Sequence, residues 1–224
     1  MKTQEVECFQ SALQCDKNQI EMFDLTSGCP FSNSCLRRND LVVIGGSGNY
    51  SVAAGGPWWA AAADSMAMLH DISKPSFASC WGFQAMARAL GGEVVTDLTR
   101  AEVGTIQVSM TLEAKQDPVF GMAPPVMDVQ SGHQDTVECL PEGVVCLASS
   151  DRVTNQAMMF QGKPIYGTQF HPELSRRALI ERLQAYPQYM ENIAGLPGQE
   201  CTTELRETPD SVELLRRFVR LICE

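Results

Sequence analysis

Long apolar runs are missing from this sequence. No stretch approaches the roughly 20 residues that span a bilayer, and the opening MKTQEVECFQ lacks the hydrophobic core of a signal peptide. Positive charge is short as well. Seventeen Lys and Arg against 27 Asp and Glu leave a net charge of −10. That balance argues against DNA or RNA as a partner, because a polyanion wants a basic face, and against an anionic membrane surface. Histidine is scarce, with His70, His133 and His171 far apart, and no two of the nine cysteines stand at the two-residue separation of a zinc knuckle. No metal site is expected. An odd number of cysteines in a 224-residue chain without an export signal reads as buried thiols in a cytoplasmic protein.

What is present is an ordinary globular composition, 44% apolar and 20% charged. Val6, Phe9 and Leu13 recur at helical spacing, so residues 3–15 predict an opening helix. IEMFDL (20–25) alternates like a strand, and the Gly/Pro/Ser/Asn-rich stretch 27–34 reads as a loop. LVVIGG (41–46) is a continuous apolar run stopped by glycines, the pattern of a buried parallel strand. Pro57 opens a helix, 75–79 is a strand, and 81–90 is a helix closed by Gly91-Gly92. Strands with short turns follow at 104–110, 126–131, 143–150, 155–160 and 164–170. Helices at 176–186 and 211–222 close the chain, the last with Thr208 as cap and Pro209 in its first turn. Alternating strands and helices followed by consecutive strands predict a parallel sheet with a mixed or antiparallel extension. One domain over 1–224 is expected, with a core to about 185 and a helical extension over 186–224. That extension is expected to pack on the domain, with a dimer or synthetase contact as the alternative.

FASCWGFQAMARALGG (77–92) places Cys80 at the hinge between a strand and a helix. There the helix N-terminus favours a thiolate, the first helical N–H groups can hold an oxyanion, and Gly82 permits a tight turn. IYGTQFHPEL (165–174) ends a strand in His171, kept out of helix by Pro172, with Glu173 two residues on to orient the imidazole. Singly, these residues read as a buried structural cysteine, a loop histidine and a first-turn acid. Jointly they read as a nucleophile, its base and the orienter of that base. A third stretch, VVIGGSGNYSV (42–52), brings backbone amides close to a ligand. It lacks the Lys-Ser/Thr of a phosphate loop and the GxGxxG spacing.

Together these stretches resemble the class I glutamine amidotransferases. That family follows a strand with a Gly-Gly loop, then has Gly-x-Cys-x-Gly-x-Gln, then a strand ending in His-Pro-Glu. Here they are Gly45-Gly46, ASCWGFQ (78–84) and FHPE (170–173), in that order. QSGHQDTVECLPEGVVCLASS (130–150) is similar to the His-Gly-Asp segment of stand-alone relatives of the GMP synthase amidotransferase domain. The resemblance implies a flavodoxin-like three-layer α/β sandwich and a Cys80, His171, Glu173 triad. It also implies an oxyanion hole from the amides of Gly46 and Trp81, and a substrate pocket involving Gln84 and the segment around His133. L-glutamine would be the substrate, ammonia would pass to a separate synthetase, and no cofactor would be needed. A γ-glutamyl hydrolase, or a silent regulatory protein of the same fold, are the alternatives; a homodimer is left open.

Ala78, Trp81 and Phe83 depart from the family pattern, which has Gly, a smaller apolar residue and His there. Relatives also open with a central strand, whereas this chain starts in what reads as the helix after it. The expectation is a reading frame that begins late and a sheet lacking an interior strand.

Overall fold

The computed structural model describes residues 2–185 and 205–223. The chain runs through α1 (Lys2–Leu13), α2 (Asn33–Arg38), β1 (Val42–Ile44), α3 (Trp59–Asp71), β2 (Ser76–Ser79) and α4 (Trp81–Ala89). It continues through β3 (Glu93–Thr96), β4 (Glu102–Met110), β5 (Val126–His133), β6 (Asp135–Cys139), β7 (Val144–Ser149), β8 (Ala157–Phe160) and β9 (Ile165–Thr168), and ends in α5 (Arg176–Ala185) and α6 (Pro209–Cys223).

Seven strands pair in the order β1-β2-β9-β8-β7-β4-β5. The first three are parallel and the rest antiparallel, so the expected parallel sheet with an antiparallel extension is present. Side chains alternate across it, as strand geometry requires. Ala78 and Ile165 face one layer with Ala62 and Met66 of α3 and Phe83 and Met86 of α4. Phe77 and Tyr166 face the other, with Phe9 and Ala12 of α1 and Leu214, Leu215 and Phe218 of α6. The result is the flavodoxin-like three-layer sandwich. Among the described residues no helix is long and apolar enough to cross a membrane.

Several local expectations change. IEMFDL does not pair: residues 20–24 are irregular and Leu25–Ser27 form a 3-10 turn, because alternation makes a strand only where an open edge receives it. Among the described residues the seven strands pair in one continuous run. β1 ends the sheet, with β2 as its paired neighbour. Part of the 27–34 loop instead leads into α2, where Ser32 Oγ accepts from the Cys35 N–H at 3.1 Å. A two-stranded ribbon of β3 and β6 was not foreseen. Thr208 precedes α6, but its hydroxyl makes no cap bond and lies buried without a partner among the described residues. Ala78 has negative φ, so the missing glycine costs nothing there. Much of the segment read as an extension, 186–204, lies outside the described residues.

The final helix is part of the core. Phe218 is fully buried, with its ring 5.5 Å from Phe77 and 5.7 Å from Tyr166. Phe218→Ala should cost about 3–5 kcal/mol, read as a lower urea midpoint; an unchanged midpoint would mean that α6 does not pack as described.

Candidate active site

β2 ends at Ser79 and α4 begins at Trp81, so Cys80 alone makes the corner. Its backbone sits at φ 50°, ψ −104°, a region that a non-glycine residue occupies at a cost of about 1–3 kcal/mol. Two contacts enforce it. The Cys80 N–H donates to the Thr168 carbonyl at the end of β9, at 2.7 Å, and Gly82 lets α4 lie directly on β1. A Cβ at Gly82 would come within 2.7 Å of Ile44 Cγ2 and 2.9 Å of the Ile44 carbonyl. The sulfur is left facing a small space. It donates toward the Gly132 carbonyl at 3.7 Å and accepts from Gln169 Nε2 at 3.8 Å. The Trp81 N–H, first in α4, has no intrahelical acceptor.

His171 follows β9 and is tied to β5 by its own N–H, which donates to the Gln130 carbonyl at 2.8 Å. Its Nδ1 lies 2.6 Å from Glu173 Oε1, and both side chains are buried. Burial alone would push the imidazole pKa down. The Glu173 carboxylate and the Cys80 sulfur outweigh it and raise the value to about 10. The same pairing, against its own burial, holds Glu173 below the ordinary carboxylate range.

Gly46, just past β1, must be glycine: a Cβ there would come within 2.6 Å of His171 Cε1. Its N–H donates to Glu5 Oε1 of α1 at 2.9 Å, and Glu5 Oε2 pairs with Arg182 of α5. Cys80, Gly46, Gly132, His171 and Arg182 line one pocket, against an apolar wall of Leu174, Leu179 and Leu183. Glu5, His171 and Glu173 bring three possible metal-ligand atoms within 4.8 Å of one another. Each of the three already has a hydrogen-bond or ion-pair partner, however, so the donor set does not fit a resident ion well.

Of the other residues singled out in the sequence, Trp81 is buried 5.4 Å from Trp58 by ring centroids, and its indole N–H finds no partner among the described residues. Gln84 and His133 do not line the pocket. The Gln84 amide donates to the Asp135 carbonyl at 2.8 Å and to Gln169 Oε1 at 3.2 Å. The fully buried His133 ring sits between the Asp135 carbonyl at 3.0 Å and Glu102 at 3.1 Å. Buried polar groups take the nearest partners: for His133 these are Asp135 and Glu102, and for Gln84 they are Asp135 and Gln169, whose own amide reaches the Cys80 sulfur. Gly132 stands at the wall in place of His133.

Glu5, Arg182 and Gln169 were missed. One signal was available for Glu5: it stands four residues before Phe9 on the buried face of α1, where a lone carboxylate needs a partner.

The sequence matches the family described as Glutamine amidotransferase class-I over residues 19–183. A GMP synthase [glutamine-hydrolyzing] of Shewanella pealeana is 30% identical over 179 residues, 76% of this chain and 33% of that protein. One from Shewanella sediminis is 29% identical over 192 residues, 81% of this chain and 35% of that protein. The chain thus spans about a third of the length of these curated relatives. Among solved structures, a glutamine amidotransferase of Thermotoga maritima superposes with a TM-score of 0.74 at 21% identity, covering 91% of this chain and 86% of that one. A glutamine amido transferase of Methylobacillus flagellatus gives 0.71 at 17% identity, covering 97% and 89%. At those identities the structures establish the fold.

The buried pair sets a pH dependence. The folded His171 value lies above the ordinary 6.5, so its contribution to stability is complete below about pH 6.5 and is lost as pH rises through about 10. Glu173 is depressed, so its contribution is present above the usual carboxylate value and is lost in acid. By NMR, His171 should keep its proton well above pH 8, and Glu173→Gln should bring its midpoint down. A wild-type midpoint near 6.5 would contradict the pairing.

Proposed function

The chain belongs to the class I glutamine amidotransferase family, and on that premise we propose that it hydrolyses the side-chain amide of glutamine through a thioester on Cys80. The observation that carries this is the strained Cys80 corner facing a His171 whose other nitrogen is held by Glu173. In the proposed cycle His171 already carries the proton, and the Cys80 sulfur attacks the γ-carbonyl carbon as its thiolate partner. The carbonyl oxygen takes the negative charge and is stabilised by the N–H groups of Gly46 and Trp81. His171 then hands its proton to the departing nitrogen, the C–N bond breaks, and ammonia leaves a γ-glutamyl thioester. Water attacks that thioester, His171 takes and keeps its proton, and the sulfur leaves as the thiolate, which releases glutamate and restores the starting pair. Glu173 holds the imidazole and its positive charge. Gln169 steadies the sulfur, and Gln84 supports Gln169 from behind.

The relatives carry the name GMP synthase [glutamine-hydrolyzing], and this chain spans only about a third of their length. We infer that the released ammonia passes to a synthetase that carries the acceptor chemistry, with both working in the cytoplasm. Among the described residues, Arg182 and His171 are the charged side chains that line the pocket.

Incubation with an electrophilic glutamine analogue, followed by intact mass and peptide mapping, tests the assignment. One adduct on Cys80, suppressed by excess glutamine and absent in Cys80→Ala, is expected. Labelling scattered over other cysteines, or indifference to glutamine, would overturn it.

A further inference from the structure

The pocket holds an acceptor where the proposed cycle needs an empty one. Gly46 has a single N–H, and Glu5 Oε1 takes it at 2.9 Å. For an oxyanion to form at that donor, Glu5 must leave. Its second oxygen is bound to Arg182, whose Nε is buried without a hydrogen-bond partner among the described residues. Withdrawing Glu5 alone would strand a buried guanidinium and an unmet amide, which is costly. A ligand that brought its own carboxylate would replace the lost partner like for like.

We propose that Glu5 is an internal competitor that occupies the oxyanion donor, and that Arg182, once vacated, takes the α-carboxylate of the incoming γ-glutamyl substrate. This rests on the reading of Cys80 as a nucleophile toward a γ-glutamyl carbonyl. The geometry allows the exchange. Glu5 lies in the early part of α1 and its side chain is 20% exposed, while the body of the helix is pinned farther along. Phe9 and Ala12 lie in the core, and the Ala12 carbonyl accepts from Arg216 of α6 at 2.7 Å. The first turn can therefore release its carboxylate while the helix stays docked. A substrate without a carboxylate would have to displace Glu5 without compensating Arg182, so the arrangement selects for a free α-carboxylate.

The test compares two acyl donors that form an oxyanion on attack by Cys80, p-nitrophenyl acetate and the γ-glutamyl analogue L-γ-glutamyl-p-nitroanilide, each followed by release of its nitrophenyl leaving group above the Cys80→Ala background, in wild type, Glu5→Gln, Glu5→Ala and Glu5→Ala/Arg182→Ala. Circular dichroism and melting confirm that each variant is folded. Glu5→Ala should speed both reagents about tenfold, the weight of one hydrogen bond to a charged group. Glu5→Gln keeps the shape and should give a smaller gain; it decides the matter if Glu5→Ala does not fold. Adding Arg182→Ala should cancel the gain for the analogue, which carries an α-carboxylate, and leave it for p-nitrophenyl acetate, which does not. Rates at or below wild type in both folded Glu5 variants would overturn the competitor. A gain for the analogue that survives Arg182→Ala would overturn the role of Arg182. Failure of the functional reading looks different: the analogue would react with no variant while p-nitrophenyl acetate still sped up in Glu5→Ala.

Discussion

The corner between β2 and α4 constrains the rest of the site. Cys80 is held in a backbone conformation that disfavours any side chain, and it stays there because its N–H is anchored to the end of β9 and Gly82 presses the helix onto β1. One residue of chain then separates a buried strand from a buried helix, and the sulfur cannot turn into the core. The parallel trio β1-β2-β9 brings one candidate site residue from each strand end: Gly46 after β1, Cys80 after β2 and His171 after β9. The site follows from which strands are neighbours.

Charge is arranged around that corner in a buried series. Glu173 holds His171, and Arg182 lies close enough to lower the pKa of Glu173 as well as pairing with Glu5. Buried ion pairs are poor sources of stability, since desolvation opposes the attraction, and removing one member exposes the others. Their use here is positional. Each group fixes the orientation or charge of the next, and the series ends at the pocket wall, where an incoming carboxylate can join it.

Much of this was legible in the sequence because it is local. The Cys80 corner is announced by small residues, a cysteine and a glycine between an apolar strand and an amphipathic helix. The His171-Pro172-Glu173 run carries its own geometry, since two residues of separation suffice for the 2.6 Å contact. The groups that arrive from far along the chain were not legible: Glu5 meets Gly46 across 41 positions, and Arg182 meets Glu5 across 177. IEMFDL shows the same limit from the other side, with a strand-like pattern and no pairing strand. The β3–β6 ribbon was overlooked because its strands are short and rich in polar residues, Glu93, Thr96, Asp135 and Thr136 among them. Gln84 and His133 were assigned to the pocket by resemblance, and nearby buried acceptors claim both.

Acid-quenched intact-mass analysis of the protein during turnover of glutamine addresses the nucleophile most directly, because it looks for the covalent intermediate itself. The account predicts a transient gain of one glutamyl group, mapped to Cys80 and lost on treatment with hydroxylamine. Ammonia released by Cys80→Ala at the wild-type rate, with no acyl adduct on either protein, would contradict it.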